Sequence, residues 1–134
     1  MHYIVLYLTT ATVFLAVDAI WLKLVMRPLF EREVGDLLAD EVRLGPAAAF
    51  YLLYVGGILW FASLPAWRSG EWSTAALNAA LLGFLAYGTY EATNFATLRG
   101  WTWQMVVVDV GWGMVLTASA ALSGLWLTRA LTGG

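Results

Sequence analysis

Four runs of apolar residues, separated by short clusters of polar and charged ones, organise this chain. They cover 3–24, 46–67, 75–98 and 105–127. Each is close to the roughly 20 residues that an α-helix, rising about 1.5 Å per residue, needs to cross about 30 Å of hydrocarbon. Four strands cannot close a barrel, and lipid tolerates no unpaired backbone, so the pattern predicts helices. Ser69-Gly70 and Arg99-Gly100 mark short turns between antiparallel neighbours. The expected fold is all-α: a single-domain integral membrane up-down four-helix bundle over 1–134.

The long connection, 28–43, has a different pattern. Phe30, Val34, Leu37, Leu38 and Val42 recur near helical spacing, while Glu31, Glu33, Asp36, Asp40 and Glu41 fill the other side. Pro28 suits a first helical turn. This predicts an amphipathic helix on the membrane surface or capping the bundle, with an acidic face unsuited to anionic lipid.

Composition agrees with a hydrocarbon environment. Of 134 residues, 61% are hydrophobic and 12% charged, and the mean hydropathy is +0.74. A soluble domain carries about twice that share of charge. With no cysteine and one histidine, His2, thiolate chemistry and histidine-cluster metal sites are excluded within one chain. A net charge of −2 without a basic stripe argues against nucleic acid. The N-terminal segment lacks a basic leader region, and Asp18 interrupts any cleavage region, so it reads as a retained first span. Lys23, Arg27, Arg32, Arg43 and Arg99 flank the first and third connections, against Arg68 and Arg129 on the other side. That asymmetry places those connections in the cytoplasm and both termini outside an inner membrane. Trp67, Trp72 and Trp126 fall near the outer interface, and Trp101 and Trp103 near the inner one.

Three acids, Asp18, Glu91 and Asp109, lie inside predicted spans. Each costs at least about 2.5 kcal/mol at a lipid-facing midplane position, so each is expected to face a partner, a cavity or the bundle interior. Counted from Arg27, Arg99 and Gly100, all three stand roughly 12–14 Å from the cytoplasmic helix ends. Polar and aromatic residues share that layer: Tyr51 and Tyr54; Tyr87, Glu91 and Asn94 on one helix face, flanked by Tyr90 and Thr93; and Trp21 and Trp112, each three residues after an aspartate. Indole and phenol groups donate hydrogen bonds to carboxylates while filling apolar space. Gly83, Gly88, Gly111 and Gly113 are expected to allow close helix approach. With no cationic side chain in the layer, the acids must share protons or surround a cation, and an all-oxygen ligand set would suit a hard metal ion. The plainer alternative is a set of staples between helices, although such bonds average well under about 1 kcal/mol each.

These same residues resemble a known family. Asp18-x-x-Trp21-Leu22, Phe50-Tyr51-x-x-Tyr54 with Gly57-Ile58, Tyr87-Gly88-Thr89-Tyr90-Glu91-x-Thr93-Asn94, Gly100-Trp101 and Asp109-x-x-Trp112-Gly113 are similar to the DUF 2177 family of small four-span bacterial membrane proteins. The resemblance spans nearly the whole chain. It implies an inner-membrane protein and supplies no activity. Aspartate is more usual where Glu91 stands, so the reach of that side chain is longer here.

Three functions compete. The first is binding or transport of a cation, proton or small apolar ligand at the carboxylates, with a homodimer expected because four spans are few for a pathway. The second is a membrane enzyme acting on a lipid or quinone-like substrate through one acid and one base. The chain offers it no nucleophile constellation or phosphate-binding loop. The third is an accessory subunit whose amphipathic helix docks a membrane protein partner.

Overall fold

A computed structural model describes residues 2–38 and 44–133. Four long helices follow one another: α1 (His2–Leu37), α2 (Leu44–Ser69), α3 (Trp72–Thr97) and α4 (Trp103–Thr132). Among the described residues there is no strand. In hydrocarbon a helix meets the hydrogen-bonding needs of its backbone within one segment, which explains why so apolar a chain forms little else. α1, α2 and α4 are each long and apolar enough to cross a membrane. α3, with 26 residues, is as long but more polar.

Neighbouring helices run antiparallel. His2 at the start of α1 lies against Trp67 at the end of α2, Tyr54 of α2 against Tyr87 of α3, and Phe95 of α3 against Trp103 of α4. α4 also packs on α1, where the Thr9 and Thr128 hydroxyls share a 3.1 Å hydrogen bond. Close approach depends on small residues. A Cβ on Gly83 would collide with the Gly113 backbone, and one on Gly113 with the Tyr87 ring. Gly88 and Gly111 have open space around them instead, so the expected role in close packing belongs to Gly83 and Gly113 alone of those four.

Two helices contain one wide π-turn each, at Leu22–Met26 in α1 and Leu59–Ser63 in α2. Both lie six to two residues before a proline, Pro28 and Pro65. Proline offers no N–H and clashes with the carbonyl four residues back, and a locally wider turn relieves that conflict. In α2 the carbonyl so deprived is that of Phe61. Asn78 of α3 donates to it through Nδ2 at 3.1 Å. A polar residue that lowers the hydropathy of α3 is thus occupied in repairing α2.

Of the expected amphipathic connection, 28–43, the structure describes residues 28–38. Helix continues through Arg27–Val34 and closes in a tight turn at Gly35–Leu37. Leu29 and Val34 are buried with Met26 and Met105, and Phe30 and Trp101 pack on them. Leu37 and Leu38 are exposed, not part of the apolar face. Val42, Asp40 and Glu41 lie outside the described residues. Gly35 weakens the helix where α1 passes into this turn. The Leu98–Thr102 turn sits beneath this segment. Gly100 adopts φ +79° there, and a Cβ on it would press within 3.1 Å of the Glu33 carbonyl.

Candidate functional site

All three intramembrane acids are buried: Glu91 is fully enclosed, Asp18 is 3% exposed and Asp109 is 7% exposed. Their partners come from other parts of the chain. Trp112 of α4 donates its indole N–H to Asp18 Oδ1 at 3.1 Å, and the Tyr51 hydroxyl lies beside the same carboxyl. Trp101, in the turn before α4, donates to Glu91 Oε1 at 2.9 Å. Glu91 Oε2 has no conventional donor, and the Asp109 carboxyl stands next to Glu91 and within electrostatic range of Asp18. Two carboxyl groups in contact can satisfy one another only through a shared proton. Asp109 accepts no hydrogen bond from any amide, indole or hydroxyl donor among the described residues.

Sequence spacing suggested that Trp21 and Trp112 would serve the aspartates three residues before them. The contacts run differently. Trp112 reaches across to Asp18, and Trp21 stacks flat on Trp112 with ring centroids 4.2 Å apart and planes 4° from parallel. The Trp21 N–H is buried without a partner among the described residues.

Beside the acids lies a cavity of about 430 Å³. α1 contributes Asp18, Leu22 and Phe30 to its wall, and α2 contributes Ala47, Phe50, Tyr51 and Tyr54. α3 adds Ala86, Tyr87 and Tyr90, and α4 adds Asp109. Helical spacing explains the choice: Tyr51 and Tyr54, like Tyr87 and Tyr90, are three apart and share a face. Phe14 props the two α2 tyrosines from behind, 5.7 Å from Tyr51 and 5.5 Å from Tyr54. The Tyr54 hydroxyl is paired with Thr117 at 2.9 Å, whereas the Tyr87 hydroxyl is buried without a partner among the described residues.

Six of the residues singled out from sequence therefore line one cavity: Asp18, Tyr51, Tyr54, Tyr87, Tyr90 and Asp109. Glu91, Trp21 and Trp112 stand behind that wall in contact with it. Thr93 and Asn94 are not part of the lining. The Thr93 hydroxyl donates to the Thr89 carbonyl of its own helix, a common use of threonine in helices that lack water. Phe30, Phe50 and Trp101 were not among the expected site residues. Phe30 was visible only as part of an apolar stripe, Phe50 only as part of the family pattern, and Trp101 as an interface anchor and part of that pattern. Among the described residues no group of three or more His, Cys, Asp or Glu side chains is placed to hold a metal ion.

No curated protein and no solved structure matches the chain. A family model described as "Predicted membrane protein (DUF2177)" matches residues 3–126. Covering almost the whole helical array that builds the cavity, this match shows that the chain belongs to that family of predicted membrane proteins.

Proposed function

We propose that this protein binds a small, mainly apolar ligand drawn from the hydrocarbon of a bacterial inner membrane, with Asp18 and Asp109 engaging the ligand's polar end. The observation that carries this reading is the cavity itself. Its volume of about 430 Å³ falls in the usual range for small-molecule sites, about 300–1,000 Å³. Six aromatic rings and two buried acids line it. Leu22, Phe50 and Tyr90 on its wall are also exposed on the outer surface, so its mouth opens where lipid would lie.

In this reading the chain crosses the membrane four times. α3 supports a fourth crossing because Asn78 and Glu91 turn inward, to Phe61 and Trp101, while the exposed Thr89, Thr93 and Thr97 hydroxyls bond carbonyls of their own helix. Leu77, Leu81, Phe84 and Leu85 form its exposed side. The Lys/Arg asymmetry puts the cavity in the cytoplasmic half and both termini outside. A second reading, helix stapling, draws support from the two indole–carboxylate bonds and fits Glu91 better than Asp109, which has no such donor.

Native mass spectrometry of the protein released from its host membrane tests ligand binding. Wild-type protein should carry a small-molecule adduct that Ala47→Trp, which fills the cavity mouth, does not. Identical spectra for the two proteins would remove the reading.

A further inference from the structure

We infer that the ligand is an amphiphilic cation: an aromatic or alkyl body bearing a quaternary or protonated amine. This rests on the cavity being a ligand site, and it deepens that reading by naming a class.

The argument is one of charge and surface. Asp109 is 7% exposed, lines the cavity and lacks any amide, indole or hydroxyl donor among the described residues. Asp18, 3% exposed, lines it too and has only neutral neighbours, the Trp112 N–H at 3.1 Å and the Tyr51 hydroxyl. Glu91 stands against Asp109, so the layer beside the cavity holds three carboxyl groups. Among the described residues no lysine or arginine lines the cavity. The ion pairs among the described residues, Arg27–Glu31 and Arg32–Glu33, are exposed and neutralise groups outside it. A buried charge without a partner is costly, so a cation brought by the ligand supplies what the protein omits.

The rest of the wall suits the same ligand. Aromatic faces attract cations, most of all when water is excluded. Quaternary ammonium needs no hydrogen-bond acceptors, only ring faces and a counter-charge, and the wall offers six rings and two acids. An anionic or phosphate-bearing ligand would meet two acids and no base. A purely hydrocarbon ligand would leave both acids unanswered.

The test uses the full chain in phosphatidylcholine nanodiscs and three labelled probes with a shared benzyl body. Benzyltrimethylammonium is the cation, neopentylbenzene its neutral isostere with carbon in place of nitrogen, and benzylsulfonate the anion. Equilibrium dialysis against empty nanodiscs subtracts partition into lipid. The cation should bind saturably and at least about tenfold more tightly than neopentylbenzene, a difference of about 1.4 kcal/mol. Benzylsulfonate should not bind. Asp18→Asn and Asp109→Asn should each weaken the cation at least about tenfold. Ala47→Trp should abolish binding while leaving the acids intact, and so serves should an Asn variant fail to fold. Saturable binding of neopentylbenzene as tight as the cation's overturns the charge class and leaves the cavity a ligand site. If no probe saturates, or Ala47→Trp changes nothing, both inferences fall.

Discussion

Trp112 and Asp18 stand 94 residues apart in the chain, yet the indole N–H of one donates to the carboxylate of the other at 3.1 Å. The bond ties the first helix to the last beside the cavity. Its ring partner, Trp21, lies on α1 one turn beyond Asp18, so the same two helices are joined twice, once by a hydrogen bond and once by stacked rings.

Trp112→Phe separates those two links. It keeps an aromatic ring against Trp21 and removes the donor to Asp18. Interhelical hydrogen bonds in membranes average about 0.6 kcal/mol, with a maximum near 1.7. A loss of about 1 kcal/mol is expected in an unfolding titration in mixed micelles. A double-mutant cycle with Asp18→Asn should return most of that loss as coupling.

Glu91 offers a contrast between polarity and bulk. Glu91→Gln keeps an oxygen for the Trp101 indole and places an amide donor toward Asp109, so it should cost less than about 1 kcal/mol. Glu91→Ala leaves the Trp101 N–H unpaired and opens a void in a fully buried position. It should cost about 2–4 kcal/mol in the same titration. Equal losses for the two variants would show that Glu91 acts through its charge and not through its contacts.

Gly113 lies directly beneath the Tyr87 ring, where a Cβ would clash with the ring and its own Cβ. Gly113→Ala should therefore destabilise by about 1–3 kcal/mol, the usual range for overpacking. In a Tyr87→Ala background the further cost of Gly113→Ala should be smaller, because the obstructing ring is gone.

Thr93→Ala should be nearly silent. Its hydroxyl bonds its own helix and its side chain is exposed, so stability should shift by no more than about 0.5 kcal/mol. Affinity for a bound cation should not change measurably by dialysis.

The four-crossing topology is open to a direct check, because the chain contains no cysteine. Single substitutions Leu37→Cys, Ser69→Cys, Arg99→Cys and Thr132→Cys can be labelled with a membrane-impermeant maleimide. Leu37→Cys and Arg99→Cys should react from one side of the membrane, Ser69→Cys and Thr132→Cys from the other. If α3 does not cross, Ser69→Cys and Arg99→Cys will label together.

Much of this protein is legible along its sequence alone. The apolar runs fix the helices, because only helices satisfy backbone groups inside lipid. They also fix the burial of Asp18, Glu91 and Asp109, because hydrocarbon does not accept such groups singly. Spacing of three and four residues gathers Tyr51 with Tyr54, and Tyr87 with Tyr90. Which side chain answers which acid is not local information. Spacing pointed Trp21 and Trp112 at their own helices' aspartates and left Trp101 at the interface, whereas Trp112 serves Asp18 and Trp101 serves Glu91. Periodicity defines a face within one helix, but the rotation of that face toward a neighbour is set by non-local packing, by Tyr87 over Gly113 and the Thr9–Thr128 contact among others. The cavity is a product of that rotation, as is the recruitment of Phe30 and Phe50 to its wall, and so both belong to the tertiary structure.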